Sequence, residues 1–95
     1  MQVHWTQNSV NHLSGIYEYI SLNSHTYAKN MVDRITRRSE QIGIQPISGR
    51  MVLEYYQDDI REVIEKPYRI IYRIKPDQID VLAVVHSARL LENAL

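Results

Sequence analysis

Three apolar, β-branched runs crowd the last forty residues of this chain: IREVIE at 60–65, YRIIYRI at 68–74 and IDVLAVV at 79–85, closing on His86-Ser87-Ala88-Arg89. They read as antiparallel strands. The two later runs alternate arginine with apolar residues on one side, while the other side is almost wholly apolar. One face is therefore suited to sealing a core and the other to meeting a charged partner. Lys75-Pro76-Asp77-Gln78 is a turn signal between β-branched runs, and a loop of two or four residues there gives the same register. That register sets Tyr68 opposite Val85, Ile70 opposite Ala83, Tyr72 opposite Val81 and Ile74 opposite Ile79 on the core face. On the other face it sets Arg69 opposite Val84, Ile71 opposite Leu82 and Arg73 opposite Asp80, with His86 just beyond on the same side. Arg73 and Asp80 read as a cross-strand ion pair, and Arg69 and His86 are left as candidate functional groups.

The chain has 95 residues, which predicts one domain over 1–95. A domain of this size buries roughly 60–65% of its unfolded surface, so it is marginally stable and stands to gain from a bound partner. It has no cysteine, which excludes a disulfide framework and a thiolate metal site. His4, His12 and His25 show no ligand spacing, so no metal or other cofactor is expected. No apolar run approaches a membrane span and residues 1–5 lack the pattern of a signal peptide, which makes the cytoplasm the expected compartment. Eleven basic and eleven acidic side chains cancel, which disfavours a purely electrostatic grip on nucleic acid.

Two helices are predicted ahead of the strands. In the first, Val10, Leu13, Tyr17 and Ile20 recur at helical spacing after the capping candidates Thr6 and Asn8. In the second, Ser24 caps a helix in which Ala28, Met31, Val32, Ile35 and Ile42 share a face, with Gly43 as its stop. Arg34, Arg37 and Arg38 project from its later part, interspersed with Asp33 and Glu40, and read as a solvated charged face. Residues 44–50 form a loop by their proline and glycine, 51–56 start another strand, and 2–5 alternate and join the sheet. The expected fold is α+β, in the order β-α-α-β-β-β, with an antiparallel sheet packed against an N-terminal helical hairpin and a further short helix over 88–95.

The helical hairpin after Trp5, the Ser48-Gly49-Arg50 loop, Ile60-Arg61-Glu62, the YRIIY of 68–72 and the VHSAR of 85–89 occur in the order seen in the RelE/ParE superfamily of bacterial toxins, which this chain resembles over nearly its whole length. The resemblance implies a small growth-inhibiting toxin of a type II toxin–antitoxin system, of the kind also called plasmid stabilisation proteins. A cognate antitoxin would hold it inactive in a hetero-oligomer, its flexible C-terminal segment wrapped around the toxin.

Two activities compete within that superfamily. RelE-like members are ribosome-dependent endoribonucleases that cut mRNA, whereas ParE-like members poison DNA gyrase by binding it. Cleavage by a ribose 2′-hydroxyl needs a base, an acid and cations facing the phosphoryl group. The resemblance places Arg69 at the arginine of the RelE-like strand, and His86 or Arg89 near the C-terminal catalytic group. Arg61 or Glu62 completes the set, and a one-residue slip in the hairpin around Lys66-Pro67 decides which. The strand at 60–65 departs from the lysine-rich nuclease pattern, with one arginine and two glutamates, and the neutral net charge also favours a protein target. The ParE-like reading is preferred. For the antitoxin, an apolar stripe formed by Leu13, Tyr17, Ile20, Met31 and Ile35 is the expected seat, with strand addition at the sheet edge as a second.

Overall fold

The computed structural model describes residues 1–88, so Arg89 and the helix expected over 88–95 lie outside the described residues. The elements run β1 (Gln2–Trp5), α1 (Gln7–Ser21), α2 (His25–Ile44), a 3-10 turn (Pro46–Ser48), β2 (Arg50–Met51), β3 (Ile60–Glu65), β4 (Tyr68–Ile74) and β5 (Gln78–His86). The sheet order is β1-β5-β4-β3-β2. The predicted α+β arrangement is thus present, with two differences. The sheet is mixed, because β1 lies parallel to β5, Gln2 beside Gln78 and Trp5 beside Val81. No hairpin joins those two strands, so nothing local dictates their direction. The run at 51–56 contributes only Met51 to a strand, and the chain then loops across the sheet face opposite the helices, burying Val52.

Both helices start as the sequence predicts. The Thr6 hydroxyl accepts from the Ser9 amide and the Ser24 hydroxyl from the Tyr27 amide. From α2, Ala28, Met31, Ile35 and Ile42 enter the core. The α1 stripe is rotated from the expected one. Leu13, Ile16 and Ile20 pack against the core, whereas Val10 and Tyr17 remain 41% and 39% exposed. Between helices and sheet sit Met31, Ile35, Ile42, Val63, Ile70, Tyr72, Ile79, Val81 and Val84, and Trp5 packs at their edge with its indole N–H donating to Ser39 Oγ at 3.3 Å. A smaller second core of Val52, Ile60, Ile71, Ala83 and Val85 lies on the opposite face.

Gly43 does not stop α2, which continues to Ile44. Its role is close approach: a Cβ there would stand 2.6 Å from Met1 O and 2.8 Å from Val3 Cγ2, so only glycine lets β1 lie against the helix. Gly15, in the middle of α1, has open space around it. Replacing the mid-helix Gly15 with alanine is worth about 0.5–1 kcal/mol, whereas at Gly43, in the last turn of α2, overpacking costs about 1–3 kcal/mol. Thermal melts should show Gly15→Ala raising the midpoint and Gly43→Ala lowering it.

The β4–β5 register follows the predicted pairing at its open end, with Tyr72 opposite Val81, Arg73 opposite Asp80 and Ile74 opposite Ile79. A β-bulge then intervenes. Leu82 is skipped, and the remaining pairs are Ile71 with Ala83, Ile70 with Val84, Arg69 with Val85 and Tyr68 with His86, each one residue off the expected register. The bulge sits where β1 has ended, and α1 takes over the exposed edge of β5. The Thr6 hydroxyl donates to Val81 O at 2.8 Å, Asn8 Nδ2 to Leu82 O at 2.9 Å, and the Val84 amide donates to His12 Nδ1 at 3.1 Å. Side chains thus satisfy backbone groups that no strand among the described residues reaches.

Candidate functional site

The face expected to display guanidinium groups is largely closed. Arg69 is one of its centrepieces, and its side chain is only 8% exposed. Arg69 Nε donates to Glu62 Oε1 at 2.7 Å, while Nη1 and Nη2 reach the two oxygens of Glu54 at 3.1 Å each. Glu62, whose side chain is 4% exposed, accepts from Arg50 Nε on its other oxygen at 2.7 Å. The result is a chain of alternating charges, Arg50–Glu62–Arg69–Glu54, held between β2, β3, β4 and the loop after β2. Burial lowers the proton affinity of the Arg69 guanidinium, but Glu54 and Glu62 outweigh it and the group ends above its ordinary value. It is a fixed cation whose donors face carboxylates. A groove of about 480 Å³ opens beside it, lined by Arg50, Met51, Leu53, Ile64 and Ser87.

His86 is elsewhere. Paired with Tyr68, it projects on the helical side of the sheet, its ring edge-on to Tyr68 with centroids 6.1 Å apart, and its Nδ1 accepts from the Ala88 amide at 3.3 Å. There it borders a second groove of about 470 Å³ with His12, Gly15, Tyr19 and Tyr68. The expected juxtaposition of Arg69 and His86 on one face is therefore corrected: they lie on opposite faces. The physical cause is the bulge at Leu82, because one extra residue inverts the orientation of every later side chain in β5.

The choice between Arg61 and Glu62 is settled by the β3–β4 pairing. Glu62 opposes Ile71 and shares the face of Arg69, whereas Arg61 opposes Tyr72 on the helical side. Arg61 is occupied with backbone, its Nη1 donating to Gly49 O at 3.0 Å and its Nε to Asp58 O at 3.1 Å. Arg73 and Asp80 are opposite each other but are not ion partners. Arg73 Nε approaches Asp59 at 3.3 Å, and Asp80 takes Lys75 at 2.7 Å. The hydrogen bond from Lys75 holds the Asp80 carboxyl below its usual range against the opposing effect of burial.

The expected antitoxin stripe also needs correction. Met31 and Ile35 are 1% and 0% exposed and belong to the core, where no partner reaches them in the folded chain. Leu13 and Ile20 are half-buried against that core, and of the five only Tyr17 is exposed. A helical period identifies an apolar face but does not say whether the sheet or a partner covers it. Glu54 and Arg50, which complete the charge chain, were missed by sequence reasoning. Arg50 ends the stretch read as a loop and Glu54 lies in the one read as a strand, and neither has a spacing that points to Arg69.

This fold, with a helical hairpin packed on a sheet whose central strand carries a buried arginine, defines a small α+β domain class. A model of the ParE toxin of type II toxin–antitoxin systems (parDE) matches residues 3–91, and the chain belongs to that family. Among solved structures it is similar to the chromosomal ParDE toxin–antitoxin system from P. aeruginosa, with a TM-score of 0.73 and 21% identity over 90% of this chain and 95% of that one, a likeness of fold. No curated protein matches. No helix among the described residues is long and apolar enough to cross a membrane.

Proposed function

We propose that this ParE-family toxin acts by binding a protein target, DNA gyrase, rather than by cutting mRNA, and that a cognate antitoxin neutralises it. The observation that carries this reading is the separation of Arg69 from His86 by the thickness of the sheet, together with the engagement of Arg69 by Glu62 and Glu54. RNA cleavage needs a cation and a proton-transfer group converging on one phosphate. Here the guanidinium donates to carboxylates and the imidazole opens into a different groove. A surface that recognises a protein has no such requirement, and zero net charge suits it.

The purified toxin is expected to abolish gyrase supercoiling in the test tube and to leave message on translating ribosomes intact. Cleaved message with normal supercoiling would reverse the assignment. Expression of the chain alone is expected to arrest growth, and co-expression with the antitoxin to relieve it.

A further inference from the structure

The loop between β2 and β3 crosses the sheet face opposite the helices and is held at both ends. The Val52 amide donates to Ile60 O at 3.3 Å and the Ile60 amide to Gln57 O at 3.1 Å. Val52 is fully buried, Tyr55 packs on the second core beside it, and Glu54 is fixed by the Arg69 guanidinium. The Tyr55 and Tyr56 amides both donate to Val52 O, at 3.1 and 3.2 Å, which folds residues 52–56 into one tight turn.

At the tip of this turn stand two large apolar side chains that the fold leaves in solvent. Leu53 is 70% exposed and Tyr56 79%. Tyr56 also sits at φ 51°, the only non-glycine residue with positive φ among the described residues. That left-handed region suits glycine or asparagine and opposes an aromatic side chain. Neither packing nor backbone preference therefore favours a tyrosine at position 56. Strain of this kind persists where the surrounding bonds over-determine it, as they do in this turn, and such residues cluster at sites of function.

The charge of the loop narrows the partner. Residues 52–59 include three carboxylates, on Glu54, Asp58 and Asp59, and no lysine or arginine. Glu54 is engaged by Arg69 and Asp59 lies 3.3 Å from Arg73 Nε, whereas Asp58 is exposed and joins no ion pair among the described residues. Arg61, which follows in β3, turns its guanidinium to the carbonyls of Gly49 and Asp58. A phosphate backbone would be repelled by this loop, which turns the reading from nucleic acid to protein. An apolar tip with an acidic rim complements an apolar pocket bordered by lysine or arginine.

We infer that Leu53 and Tyr56 anchor the toxin to its protein target by entering such a pocket, with Asp58 meeting its basic border. This contact rests on the gyrase reading above and gives it a surface. Tyrosine suits the role, because it supplies a large contact area at the cost of two rotatable bonds and a few such residues carry most of the energy of an interface.

The test compares inhibition of gyrase supercoiling by the full chain and by Tyr56→Asn, Leu53→Ser and Asp58→Lys. Tyr56→Asn is expected to raise the half-inhibitory concentration by about tenfold or more. Its thermal midpoint should equal or exceed that of the parent, because asparagine tolerates the left-handed region. A tyrosine kept for structure alone would give the reverse pattern, a lower midpoint with inhibition unchanged. Leu53→Ser should also weaken inhibition, and Asp58→Lys should weaken it more at about 50 mM salt than at about 500 mM. Should Tyr56→Asn misfold, these two variants, which lie outside the strained position, carry the test. A parent chain that leaves supercoiling intact overturns the gyrase reading and this contact with it. A parent that inhibits, with the folded variants inhibiting equally, overturns the contact alone. So does a Tyr56→Asn chain that still inhibits gyrase but no longer pairs with the antitoxin, or one that keeps inhibition while dissociating a dimer formed by the parent, since either result gives the tip another occupant.

Discussion

Arg69→Ala is expected to destabilise the protein by about 3 kcal/mol, a large share of the roughly 5–15 kcal/mol typical of a small domain. An exposed ion pair is worth about 0–1 kcal/mol, and by that measure the substitution would be nearly silent. Burial decides otherwise. Removing the guanidinium leaves Glu62, with a side chain 4% exposed, holding only Arg50, whose own side chain is 71% exposed. The cost falls at the low end of the range for breaking a buried pair because that Arg50 contact survives and Glu54, 32% exposed, turns to water. With a urea dependence of about 1 kcal/mol per molar, the unfolding midpoint should drop by about 3 M. Replacing both partners, Arg69→Met with Glu62→Leu, should recover most of the loss. An Arg69→Ala protein that unfolds at the parent midpoint would show that the charge chain has no structural weight. The pair of variants also guards the functional reading, since toxicity lost in Arg69→Ala but kept in the double variant marks a folding defect.

Tyr72→Phe is the second substitution with a large expected effect, about 2–3 kcal/mol, for the loss of one oxygen atom. Tyr72 is fully buried beneath the segment joining α2 to β2. Its hydroxyl donates to Pro46 O at 2.6 Å and accepts from the Gly49 amide at 3.0 Å, so one group closes both ends of that loop. Burial pushes the hydroxyl above its usual proton affinity, with the Gly49 amide working against it, and the group keeps its proton at neutral pH. Phenylalanine fills the same space but strands a buried amide and a carbonyl. Urea unfolding should show the loss, and hydrogen exchange should show the Gly49 amide opening faster while amides of β4 stay protected. Unchanged exchange at Gly49 would mean the loop is held by other contacts.

Much of the architecture was legible because it rests on local signals. Thr6 and Ser24 cap helices as their hydroxyls predict, whereas the β3–β4 register, open to a one-residue slip at Lys66-Pro67, was decided by the fold. The turn at 75–78, another local signal, fixed the near end of the β4–β5 pairing. The far end was not legible. Leu82-Ala83-Val84-Val85 is apolar at every position, so period-two reasoning cannot tell one register from the next, and the bulge left no mark in the alternation. That single ambiguity moved His86 to the opposite face and dissolved the expected catalytic grouping. The stripe on the helices failed differently: Met31 and Ile35 were correctly read as one apolar face, but whether a sheet or a partner lies against it depends on residues thirty and more positions away.

The sequence by itself determined the two helices, the three later strands, their order and the apolar face of α2, since capping, turn chemistry and periodicity act over a few residues. Only the tertiary structure decided which side of the sheet each charged group occupies and which carboxylates it meets. A bulge is stabilised by Thr6, Asn8 and His12 from a helix more than seventy residues upstream, and the partners of Arg69 come from another strand and a loop. Such choices are made by distant backbone groups seeking hydrogen bonds and buried charges seeking neutralisation.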